Sequence, residues 1–402
     1  MLEKKSIDSL AIFGGKPAFA EQLHVGRPNV GDRDALFRRI GESLDRKWLT
    51  NRGPLVQEFE HEVQMRLGVK HCIAMCNATV ALEIAMRAMG LQGEVIIPSF
   101  TFIATAHALQ WQEITPVFCD IRLSDFTIDP QRIEELITPR TTGIVGVHLW
   151  GRPCDILAIE QIARKRNLKV LYDAAHAFGC SYQGRMIGSF GDAEVFSFHA
   201  TKFLNTLEGG AVVTNDDELA QKIRLMQNFG FGGFDSVIYI GTNGKMNEFS
   251  AAMGLTSLDA MEQFVAINKR NYDFYRQELS GIPGVQIVEY GDREKSNYQY
   301  VVAIVDETVT GIDCGSIVKV FHSENVLLRR YFYPGCHQMS PYRSYFPHAG
   351  LLLPNTEKYS KRVISFPTGT SIGLDHIAGI TGLFNFIIEN ADAVKNGVAG
   401  KK

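Results

Sequence analysis

The chain of 402 residues is 45 % apolar and 21 % charged, long enough for two or three domains. Forty-one Lys and Arg against forty-four Asp and Glu leave a net charge of −3 with no block of one sign. That excludes nucleic acid and an anionic membrane as main partners, because both require a concentrated basic face. The seven cysteines, at 72, 76, 119, 154, 180, 314 and 336, are odd in number, scattered and without CxxC spacing. This excludes a disulfide framework and a zinc site, and points to a reducing, cytoplasmic setting.

The opening stretch, MLEKKSIDSLAIFGGKPAF, lacks the apolar run of a signal peptide, so no export is expected. From about residue 70 to 225, seven apolar runs read as strands: HCIAM, EVIIPS, TPVFCDI, TGIVGVHLW, KVLYDAA, AEVFSF and GAVVT. Most are continuous rather than alternating, which marks a sheet buried on both faces, and helical patterns such as ATVALEIAMRAMG and DILAIEQIARKRN lie between several of them. The uncharged stretch from Val95 to Gln112 is broken by Pro98 and carries Ser99, Thr101, Thr105, His107 and Gln110, so it reads as strand, turn and helix rather than a membrane span. The expected fold class is α/β, a mostly parallel sheet wrapped by helices, with a smaller C-terminal α+β domain.

A single long helical pattern over 247–279, ended by Gly281 and Pro283, follows a Gly-rich stretch, and the change of domain is placed near residue 262. The division is then an N-terminal segment 1–30, a large domain 31–262 and a small domain 263–402. The small domain is built from VQIVEY, QYVVAIV, SIVKVFHSENV and a last helix near His376 to Asn390.

Four features fall at the C-terminal ends of expected strands, the edge where open α/β sheets bind ligands. In CNATVAL the chain turns from strand to helix at Asn77, Ala78 and Thr79, which is either an anion seat made of free backbone N–H groups or an ordinary helix cap. Phe102, in PSFTFIATAHA, is either a ring that stacks on a flat cofactor or a core residue. Asp173, with His176 three residues on, ends a buried strand in VLYDAAHAFG, where a carboxylate needs a cationic partner, a helix N-terminus or a buried ion pair. Lys202, in AEVFSFHATKFLNTLEGGAVV, is either a surface loop lysine or one whose neutral amine forms a Schiff base with an aldehyde, and Ser197 five residues earlier is within range of a phosphate. Together these are the groups that pyridoxal 5′-phosphate requires: an anchor for its phosphate, a carboxylate for its pyridine nitrogen, a lysine and an aromatic face. The CNATVAL turn lacks the GxGxxG of a nicotinamide-binding fold.

In this order, WLTNRGPLVQEFE, the Asn-Ala-Thr turn, DAAHAFG, SFHATK, EGGAVV and GTNGKMNEFSAAMGLTSL, the chain resembles the DegT/StrS sugar aminotransferases of pyridoxal-phosphate fold type I. The resemblance implies that Lys202 is the Schiff-base lysine, Asp173 the pyridinium partner, His176 a neighbour of the phenolic oxygen and Phe102 the stacking ring. Ala78, Thr79 and Ser197 would hold the phosphate. Asn243 would reach the cofactor phosphate of a second subunit, so that a homodimer shares its active sites. Alanine at 78 and histidine at 176 replace the glycine and glutamine of many members, and Lys245 stands where relatives often have arginine, with the substrate's phosphates as its implied contact. Tyr331 and His337, in RRYFYPGCHQ, are candidate substrate contacts or domain packing.

GRPNVGDR, WLTNRGP, VGVHLWGRPCD and NFGFGG look most like the enzymes that aminate C4 of a dTDP-linked 4-keto-6-deoxyglucose with L-glutamate as donor. The setting implied is deoxysugar biosynthesis, with lipopolysaccharide O-antigen as the destination. Alternatives are amination at C3 and a non-catalytic regulator that binds cofactor or sugar nucleotide. Relatives that dehydrate their sugar carry histidine in place of Lys202.

Overall fold

The computed structural model describes residues 2–399. Strands β1 (His71–Met75), β2 (Glu94–Pro98), β3 (Thr115–Cys119), β4 (Thr141–Val147), β5 (Lys169–Asp173), β6 (Ala193–Ser197) and β7 (Gly210–Thr214) coincide with the seven apolar runs. They form one sheet in the order β1-β7-β6-β5-β4-β2-β3. β7 is antiparallel to both neighbours, and the other six strands point one way. Both faces are buried, as continuous apolar strands require: Cys72 and Ala74 of β1 enter one core, Ile73 and Met75 the other.

Helices α1 (Arg33–Arg46) and α2 (Pro54–Leu67) lie on one side of the sheet. On the other lie α3 (Ala78–Met89), α4 (Ile103–Gln110) and α5 (Asp217–Met226). Asp32, Asn77 and Asp216 accept first-turn N–H groups at the starts of α1, α3 and α5, while Gly68 and Gly90 end α2 and α3 in the left-handed conformation.

The helical stretch expected over 247–279 is two helices, α6 (Glu248–Asp259) and α7 (Met261–Leu279), broken at Ala260 (φ −96°, ψ 3°). The break changes the packing partner. α6 is buried on almost every side against α1 and α2, whereas α7 turns one stripe toward a third core.

That core holds an antiparallel sheet of β8 (Val285–Ile287), β9 (Val301–Val305) and β10 (Val363–Phe366) with helices α8 (Cys314–Ser323) and α9 (Leu374–Glu389). SIVKVFHSENV supplies most of α8, and α9 is the last helix expected. The N-terminal segment, read from sequence as a unit of its own, packs here. Leu10, Ala18 and Phe19 are buried in this core, and Leu23–His24 pair in parallel with Val326–Leu327. Glu324, fully buried, accepts from Ala11 N and Ala18 N at 2.7 Å each and pairs with Lys4 at 2.9 Å. Segment 2–24 is thus a strap fixed to the C-terminal core, which the chain leaves to reach α1. A fourth cluster, including Phe100, Trp150, Tyr300 and Phe332, joins the two bodies where the strands of the large sheet end. Among the described residues no helix is long and apolar enough to cross a membrane.

Candidate active site

A cavity of about 580 Å³ opens where the six like-directed strands end and β7 begins, within the size range of small-molecule sites. Its walls combine the start of α3, the residues after β2, β5 and β6, and Tyr300, Tyr331 and Phe332 from the far side. The sheet therefore gathers Ala78, Thr79, Phe102, Asp173, His176, Ser197 and Lys202, spread over more than a hundred residues of chain, around one space. Tyr331 of the C-terminal candidates joins them.

Lys202 sits in the loop after β6, where its N–H donates to the His199 carbonyl at 2.8 Å in a tight turn. Its side chain is half-buried, and Nζ donates to Tyr300 Oη at 3.3 Å, an acceptor that carries no charge. Burial pushes the amine down to about 8, against the pull of Asp173 and of Tyr331 in the other direction. Asp173 ends β5 and is itself buried. Thr105 Oγ1 donates to its Oδ2 at 2.7 Å and Ala175 N to its Oδ1 at 3.1 Å. Burial holds its carboxyl above the usual range despite these bonds, as befits a group whose cationic partner is a ligand.

His176 is neutral, because burial pushes it well below its ordinary value and Lys202 adds to the effect. The Trp150 N–H donates to its Nδ1 at 3.2 Å, which places the ring proton on Nε2. The imidazole is parallel to Phe332 within 1° at a centroid distance of 5.7 Å and meets Tyr300 edge-on at 4.8 Å.

At the other end of the cavity Asn77 Oδ1 accepts from Val80 N at 2.9 Å, closing the first turn of α3 beneath it. The N–H groups of Ala78 and Thr79 belong to that first turn, where no helical carbonyl precedes them, and they mark the positive end of the helix. Gly210 keeps this turn in place: a Cβ there would stand 2.7 Å from Ala78 N. Ser197 closes the same corner from β6. An anion seat, a buried carboxylate lacking a cation, a lysine of depressed basicity and an open ring face at Phe102 fit pyridoxal phosphate. Ala78, Thr79 and Ser197 would hold its phosphate, Asp173 its ring nitrogen and Lys202 its aldehyde.

Three sequence candidates lie elsewhere. Asn243 is exposed outside the cavity, bridged to Asn228. Lys245 donates to Asn228 Oδ1 at 3.0 Å beside a separate small cavity with Arg52, Glu60 and Arg224. His337 is buried away from the cavity: its N–H donates to Ser99 Oγ, its Nδ1 lies 2.7 Å from the same oxygen and its Nε2 2.9 Å from Glu357 Oε1. It ties the segment after Phe332 to the end of β2, the packing role that the sequence offered beside a substrate contact. Conversely Tyr300, Thr105 and Phe332 were not read from sequence. Thr105 could have been found, since it lies three residues from Phe102 on the first turn of α4 and is the one hydroxyl there that can face β5. Tyr300 and Phe332 had no signal, because their role comes from how the second body packs.

The model of the DegT/DnrJ/EryC1/StrS aminotransferase family matches residues 32–384. A dTDP-4-amino-4,6-dideoxy-D-glucose transaminase of Shigella dysenteriae is 40 % identical over 313 residues, 78 % of this chain and 85 % of the relative. Another of that name from Escherichia coli is 35 % identical over 364 residues, 90 % of this chain and 97 % of the relative. The crystal structure of DesI in the presence of its TDP-sugar product superposes with a TM-score of 0.94 at 48 % identity, covering 97 % of this chain and 99 % of DesI. This chain belongs to the DegT/DnrJ/EryC1/StrS aminotransferase family. It is a pyridoxal-phosphate-dependent transaminase.

The titration of Lys202 is open to measurement. In the cofactor-free protein, labelling of Lys202 by a small amine-reactive reagent should rise through pH about 8, because the reactive neutral amine forms there rather than near 10.5. Peptide mass spectrometry across pH reads this, with exposed lysines as internal reference.

Proposed function

We propose that the chain transfers the amino group of L-glutamate to C4 of dTDP-4-keto-6-deoxy-D-glucose, giving 2-oxoglutarate and the 4-amino-4,6-dideoxy sugar. The observation that carries the chemistry is the pairing, across one cavity, of a depressed lysine with a buried carboxylate. The names of the two curated relatives and the TDP-sugar product with which DesI was crystallised support the choice of sugar nucleotide.

Bound pyridoxal phosphate supplies the electron sink that makes the donor's Cα–H acidic. Lys202 moves the proton. Burial lowers the basicity of this amine, so a neutral form is at hand near pH 7 to take the proton from one atom and return it at another. Asp173 would hold the positive charge at the ring nitrogen, and Thr105 and Ala175 fix both of its oxygens. His176, whose ring proton is on Nε2, would face the phenolic oxygen. Phe102 would stack on the cofactor ring, and Tyr331, which lines the same cavity, would face the sugar.

Asn243 acts, in this reading, on the cofactor phosphate of a second subunit. Its exposure outside the cavity of its own chain supports this, as do the exposed Phe234, Val237, Ile238 and Ile240 on the hairpin beside it, an apolar face that a second copy would cover. We place the reaction in cytoplasmic deoxysugar biosynthesis that feeds O-antigen.

Two experiments bear on this. Incubation with glutamate and a panel of nucleotide ketosugars should give the 4-amino sugar from the dTDP 4-ketosugar, with the amine placed by NMR. Amination at C3, or turnover confined to another nucleotide, would overturn the substrate assignment. Lys202→Ala chains mixed with chains disabled at Asn243 should recover activity once subunits exchange, since one site of a mixed dimer has both native residues. Exchanged dimers as inactive as their parents would refute the shared site.

A further inference from the structure

Lys202 is mounted on a loop of the large body, yet both of its neighbours are held from outside. The Phe203 carbonyl accepts from Asn29 Nδ2 at 2.9 Å, and the Phe203 N–H donates to Gln299 Oε1 at 3.4 Å. On the other side, Gly26 lies so close to Thr201 that a Cβ would stand 2.8 Å from its carbonyl oxygen. Gly26 and Asn29 belong to the stretch that leads out of the N-terminal strap, and Gln299 precedes Tyr300, the residue that receives Lys202 Nζ.

Asn29 is 2 % exposed. Its Oδ1 accepts from Thr370 N at 3.0 Å and Thr370 Oγ1 at 2.8 Å, and its carbonyl accepts from Asn205 Nδ2 at 2.9 Å. A backbone acceptor on one side and a backbone donor on the other fix which way the amide points. An amide is the side chain of this size that donates to one body and accepts from the other at once.

We infer that Asn29 is a positioning residue for Lys202: its amide locks the lysine loop to the loop carrying Thr370, so that the amine stays withdrawn from water and in reach of Tyr300. The inference rests on Lys202 being the reacting lysine. Asp173, His176, Tyr300 and Tyr331 are the titratable groups around that amine. None of the four bonds to Asn29, so a shift in the amine's titration when Asn29 is changed reports the loop.

The test uses pH-dependent labelling of Lys202 in the cofactor-free protein. Asn29→Ala should move the midpoint from about 8 toward 10.5 by roughly one pH unit, as the amine regains water. In the holoenzyme the same change should lower kcat about tenfold with KM for glutamate within about twofold, because the loss is in orientation of the proton carrier. Thr370→Val, which removes one of the two bonds that Thr370 donates to Asn29 Oδ1, should give a smaller shift in the same direction, and it decides the matter if Asn29→Ala does not fold. A folded Asn29→Ala protein with the wild-type midpoint, or an unmoved Thr370→Val where Asn29→Ala is lost, would overturn the inference even if melting temperature fell. A wild-type midpoint near 10.5 would instead remove the reading of Lys202 itself.

Discussion

Keeping a lysine amine short of water and of a counter-ion is the constraint on which the arrangement depends. An ammonium group seeks hydration or a carboxylate, and Lys202 Nζ is given a phenol. The carboxylate that could neutralise it, Asp173, is occupied by Thr105 and Ala175. Each group is left with unmet electrostatic demand, the lysine pushed down and the aspartate pushed up, and a ligand bearing an aldehyde and a basic ring nitrogen answers both.

The two bodies divide this task. The large sheet brings strand ends together, so that Asp173, Ser197 and the start of α3 meet without any long loop. The second body supplies the lid of the site, Tyr300, Tyr331 and Phe332, and with the strap it also brackets Lys202 through Gln299 and Asn29. Position of the amine is therefore a property of how the bodies are joined, and the aromatic cluster around Phe100, Trp150 and Phe332 is part of the active site's support.

What the sequence disclosed follows from the same division. Strands buried on both faces are continuous apolar runs, so all seven were legible, and a residue at a strand end inherits a known position; Asp173 and Lys202 were readable on that ground. Contacts made by packing of the second body were not. Tyr300 looks like any aromatic before a strand, and β10 is four residues long, too short for a period to show. The break at Ala260 has neither Pro nor Gly to announce it, since it serves a change of packing partner. His337 carried an ambiguous signal: a histidine in an aromatic, basic stretch suits a substrate contact or packing, and its ring bridges Ser99 and Glu357 within the protein.

The central claim is that a buried carboxylate and a depressed lysine act as one unit through a bound cofactor. Asp173→Asn tests it, because the amide keeps the size and the bond from Ala175 but cannot carry the charge that stabilises a protonated ring nitrogen. Single-turnover conversion of the glutamate half-reaction, followed by absorbance in protein shown to retain cofactor, should slow by about 100-fold or more. A variant that binds cofactor and turns over at the parent rate would make Asp173 a structural residue and contradict the account.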